Sequence, residues 1–191
     1  MTSSPSLLRL LRDDPRAAEL ATWPFDFEPG PAGDGRITHV EPVRLASGEP
    51  LEAIAKDGGG GTYFLCGSGD GEDRPVLFAD SEGSAGIVGA DLRAALLLIA
   101  ALPCAGQAVN LERQGHVMDE TALAALRQEE DDELSEAAGM EDLPERRAEF
   151  LDRLGLVPPP LTDLLVLARE AAALDSSHVL LNEHGDAYRQ D

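Results

Sequence analysis

The chain carries 36 Asp and Glu against 15 Lys and Arg over 191 residues, a formal charge of −21. A surface this acidic repels phosphate backbones and anionic lipid, which argues against nucleic acid and membranes and for a basic protein partner. The length fits one domain, or one domain with an appendage, and ordinary apolar content excludes wholesale disorder.

Two cysteines, Cys66 and Cys104, make neither a disulfide framework nor a zinc pattern and read as small buried hydrophobes. No basic segment followed by a long apolar run opens the sequence, so a soluble, cytoplasmic protein is expected. Lys56 is the single lysine, and the bias to Arg, Ala and Gly points to a bacterial source.

In chain order, Ser4-Pro5 predicts the start of a helix whose face is Leu7, Leu8 and Leu11. Asp14-Pro15 restarts a shorter helix that stops before Trp23-Pro24, and the Pro/Gly-rich stretch 28–35 reads as a linker. Ile37, Val40, Val43 and Leu45 suggest a strand, with Pro42 marking an edge or a bulge. The stretch from Leu51 to Leu102 is the most informative: a strand, the glycine turn 58–61, two more strands across acidic turns, then an apolar helix.

In the strand after the glycines, Thr62, Phe64 and Cys66 fall on one face, and Tyr63 and Leu65 on the other. Val76-Leu77-Phe78-Ala79 is apolar on both faces and belongs inside a sheet covered on two sides. The helix from Asp91 to Leu102 is apolar nearly all round, so it must be enclosed, and Pro103 ends it.

Beyond it, Met118, Asp119 and Leu123 fit a hydrophobic staple for a helix reaching Ala138, with Gly139 as its stop. Asp142 and Glu145 have capping-box spacing for the next helix, whose face is Leu143, Phe150, Leu151 and Leu154. Leu161, Leu164, Leu165, Ala168, Ala171 and Ala172 repeat at helical spacing. A short strand over 178–182 closes the chain, either in the main sheet or as a ribbon of its own.

Little of this carries chemistry. Glycines 58–61 lead into a strand rather than a helix and lack the Lys-Ser/Thr ending of a phosphate loop. Asp70, Glu72 and Asp73, with Asp80 and Glu82 across the neighbouring strand, offer oxygen ligands for a hard cation but not at calcium-loop spacing. The histidines are scattered, and no Gly-x-Ser-x-Gly elbow occurs. The run Glu129, Glu130, Asp131, Asp132 and Glu133 reads as a solvated helix face or an electrostatic landing site for a basic partner.

The order Pro50–Ala55, Asp57 with the glycine turn, Thr62-Tyr63-Phe64-Leu65, Arg74–Phe78, Asp80-Ser81-Glu82-Gly83, Ala85–Val88 and a helix from Asp91 resembles the SUKH superfamily of toxin-immunity proteins. The resemblance covers about a quarter of the chain, with the helices after Asp119 as an extension. It implies an α+β fold with a mixed, mostly antiparallel sheet covered by helices. It also implies binding without catalysis, in which many members neutralise a toxin, often a nuclease, by covering it.

The expected organisation is an α+β core over 1–105 and a helical extension over 106–191 ending in a short strand. The expected function is a non-catalytic protein-binding module with no cofactor, meeting a basic partner through Asp70, Glu72, Asp73, Glu82 and Glu129 to Glu133. The alternatives are a small metal-dependent hydrolase using carboxylates near Asp70 and Glu82, and a regulatory scaffold whose acidity serves solubility alone.

Overall fold

Alternation in the central strands dictates a sheet with two buried faces, and five antiparallel strands form it. The computed structural model describes residues 6–30, 37–69 and 71–190. The sheet runs in the order β1 (Glu28–Pro29), β3 (Leu51–Lys56), β4 (Thr62–Cys66), β5 (Val76–Ala79) and β6 (Ala85–Gly89). Every residue of β4 is buried, and its register sets Phe64 opposite Ala53 on one side and Leu77 on the other.

Period-two alternation sorts these side chains onto two cores. Tyr63, Leu65 and Val76 join the larger one, under the helices. Phe64, Cys66, Leu77 and Ala79 join the smaller one, with Leu45, Leu180 and Tyr188. The second face is thus sealed by a two-stranded ribbon, β2 (Arg44–Leu45) paired with β7 (Leu180–Leu181), and by the tail that follows it.

The first face carries α1 (Leu7–Asp13), α2 (Pro15–Thr22), α3 (Leu92–Ala101), α4 (Ala105–Arg113), α5 (Glu120–Ala138), α6 (Leu143–Arg153) and α7 (Leu161–Ala173). Helix α3 starts at Asp91, whose carboxylate accepts the Ala94 amide at 2.7 Å, and buries eight of its ten residues. Each buried leucine contributes roughly 1.5–3 kcal/mol. One continuous apolar cluster runs from Leu7 through Leu96, Leu123 and Phe150 to Ala168, so the helices beyond residue 105 pack on the same core as those before it.

Three local readings differ from the structure. The segment 37–43 is not a strand; β1 already lies against the outer side of β3, and the segment is tied down by side chains instead. Helix α4 was not foreseen, because its pattern of Ala105, Ala108 and Val109 is too small and short to register. Asp142 does precede α6 but accepts Arg146 Nε rather than capping the helix. The expected Ser4-Pro5 cap lies outside the described residues; Ser6 caps α1, its hydroxyl accepting the Arg9 amide at 3.2 Å.

Helix α7 straddles the sheet edge, with Leu164 and Leu165 in the larger core and Ala171 in the smaller. Beside it, the outer edge of β6 is closed by the chain itself. The Ala85 amide donates to the Arg189 carbonyl and the Ile87 amide to the Asp175 carboxylate, both at 2.8 Å. A row of unpaired strand amides would otherwise invite another chain to add on.

Candidate functional site

The first acidic group is split by the fold. Glu72 turns its carboxylate to the start of α1, where it accepts the amides of Leu7 and Leu8 at 2.8 Å and the Ser6 hydroxyl. Asp73 and Glu82 are exposed, and Asp70 lies outside the described residues. Asp80 folds back on its own turn, accepting the amides of Glu82 and Ser84 at 2.8 Å. Burial pushes its carboxyl up, but the backbone bonds together outweigh burial and hold it below the ordinary range.

Strand β5 separates Glu72 and Asp73 from Asp80 and Glu82; at roughly 3.3 Å per residue, its length alone puts more than about 10 Å between them. The structure does not bring these carboxylates together. Among the described residues no three His, Cys, Asp or Glu side chains converge on a point where an ion could sit.

The second group lies along a single long helix. Asp119 caps α5, accepting the Ala122 amide at 2.9 Å, and the helix runs for 19 residues to Gly139, whose positive φ of 61° ends it. Leu123 is fully buried, with Leu126 and Leu134 half-buried against the core. Glu129, Asp132 and Glu133 are exposed and Glu130 half-exposed. Asp131 differs: it receives both Nη atoms of Arg147, whose side chain is buried. From the cap Asp119 to the end of α5 at Ala138 the sequence holds eight carboxylates and one arginine, Arg127.

A third constellation has no counterpart in the sequence reading. Tyr188 Oη donates to Glu41 at 2.7 Å, and His39 Nε2 lies 3.1 Å from the same oxygen. With its proton given to Glu41, Tyr188 accepts from Nε2–H, which leaves His39 Nδ1 to accept from the Thr62 hydroxyl at 3.0 Å. Burial lowers the His39 pKa, and burial with Glu41 raises that of Tyr188. Thr62 is fully buried, so this chain of bonds fastens the ribbon to β4 rather than presenting a nucleophile.

Burial also pushes the thiols up, Cys66 to about 12 and Cys104 to about 11. Both are free, buried and protonated at neutral pH, as small hydrophobes would be. Among the described residues no single helix is long and apolar enough to cross a membrane; α3 and α4 reach that length only as a pair bent by 90°.

No known protein family, curated protein or solved structure matches this chain. The partners of Glu72, Asp131 and His39 come from elements 16 to 149 residues away, beyond the reach of any local pattern.

Proposed function

We propose that the chain is a non-catalytic protein-binding module that docks a basic partner on the exposed side of α5. One observation carries this reading. Seven of the 21 unbalanced negative charges fall on α5 and its cap Asp119, and the helix is held to the core by Leu123, Leu126, Leu134 and Asp131. A potential so concentrated steers a cationic surface and raises its association rate, by about 10- to 1000-fold at low salt. Neutralising a basic nuclease-type toxin, the role implied by the SUKH resemblance, is the particular case this surface suits.

The test is binding to a panel of basic secreted nuclease domains across a salt series, with loss of nuclease activity as the functional readout. A variant carrying Glu129→Gln, Glu130→Gln, Asp132→Asn and Glu133→Gln keeps Asp131 and therefore the fold. Binding that weakens with salt, and an association rate at least about tenfold lower in the variant, support the proposal. Binding indifferent to both, or none across the panel, removes it.

A further inference from the structure

A cavity of about 310 Å³ opens between β6, α3, α4 and α7, away from the acidic helix. Its walls are mainly apolar, with Ile87, Leu98, Ile99, Leu102, Val109 and Ala168 among them. The volume lies at the lower end of small-molecule sites, which run from about 300 to 1,000 Å³.

The polar groups at its margin fall into two sets of opposite character. On the sheet side stand Ser84, Asp80 and Asp175, and both carboxylates are engaged: Asp80 Oδ1 by two turn amides and Asp175 Oδ1 by the Ile87 amide. On the α4 side stand Asn110 and Arg113, one helical turn apart. Arg113 has a single hydrogen bond to a described residue, from Nη1 to Asn110 Oδ1 at 3.3 Å, and forms no ion pair with one. Its neighbour Glu112 gives both oxygens to Arg169 instead. An exposed guanidinium with open donors therefore stands at the rim of an apolar cavity.

We infer that this cavity binds a small amphipathic anion, with an apolar body between β6, α3 and α7 and a carboxylate head at Arg113 and Asn110. The body gains roughly 25 cal/mol per Å² of apolar surface removed from water. The head gains charge-assisted hydrogen bonds from the planar guanidinium, which matches a carboxylate in geometry. Asp80 and Asp175 on the facing wall repel the head and so fix the ligand's direction. This site owes nothing to α5, and its test is independent of any protein partner.

Calorimetric titration of the full chain with decanoate, decanol and decylamine, each below its micelle concentration, decides the matter. Decanoate is expected to bind about ten- to a hundredfold tighter than decanol, and Arg113→Gln to abolish that preference while leaving decanol unchanged. A second variant, Gly106→Leu, adds bulk at a residue of the cavity lining where a new Cβ meets nothing within 4 Å. It should block decanoate without lowering the melting temperature. Equal affinity for decanol, tighter binding of decylamine, an Arg113→Gln protein that keeps its preference for decanoate, or a folded protein that binds none of the three overturns the inference.

Discussion

Arg147 reaches out of α6 and places both Nη atoms on the Asp131 carboxylate of α5, while its Nε donates to the Ala100 carbonyl at the end of α3. Arg147 is buried at 6% exposure, so Asp131 is its counter-ion rather than a spare surface charge. Removing one member of such a pair strands the other. Asp131→Ala is therefore expected to cost about 3–5 kcal/mol in urea unfolding. Its neighbour substitution Asp132→Asn, on an exposed side chain, should stay within about 0.5 kcal/mol. Equal effects of the two would remove the distinction drawn between them.

Glu72 plays a comparable role for α1. A helix of seven residues leaves its first amides open, and this distant carboxylate satisfies those of Leu7 and Leu8. Glu72→Ala is expected to cost about 0.5–2 kcal/mol and to speed hydrogen exchange at Leu7 and Leu8. Asp73→Ala, one position on and exposed, serves as the control and should leave exchange in α1 unchanged.

The fold was legible where the signal is local. The two faces of β4 follow from Tyr63-Phe64-Leu65-Cys66 alone, since side chains on a strand alternate without reference to the rest of the molecule. Gly139, at φ 61°, ends α5 where the sequence placed its stop, and Gly155, at φ 63°, follows the end of α6 in the same way. What failed depended on partners. Ile37 to Leu45 has strand-like residues, but only Arg44 and Leu45 find a neighbour to pair with, near the C-terminus. Of the nine carboxylates expected at the binding surface, Glu72 and Asp131 turn out to hold the fold, because packing alone decides which charges face inward.

His39 supplies a pH dependence whose sign can be worked out. Burial lowers its pKa, reinforced by Lys56 and opposed by Glu41, Asp80 and Asp57. In the unfolded chain it titrates near its ordinary value of about 6.5. Between that pH and the lower folded value the unfolded state takes up a proton and the folded state does not. The contribution to stability is therefore complete above about pH 6.5 and is lost as pH falls through the folded pKa. Urea midpoints of the native chain and His39→Gln, compared between pH 7.5 and 5.0, should show the native chain losing more on acidification. Parallel curves would mean that His39 titrates alike in both states.

Gly89 closes β6 immediately before Asp91 caps α3, and the helix passes so close that an added Cβ would lie 2.6 Å from Ala95 Cα and 2.7 Å from its Cβ. No rotamer relieves a clash with backbone, so Gly89→Ala must push α3 off the sheet. Overpacking of this kind costs typically about 1–3 kcal/mol. Gly106→Ala is the opposite case: it sits in α4 with nothing within 4 Å of the new methyl, and it should be stabilising by about 0.4–1 kcal/mol through the unfolded chain. The same substitution thus carries opposite signs at two positions 17 residues apart in sequence, a contrast that thermal unfolding of the two variants reads directly. Because α3 forms a wall of the apolar cavity, Gly89→Ala should also weaken whatever that cavity holds, whereas Gly106→Ala adds one methyl to its lining and leaves the frame in place.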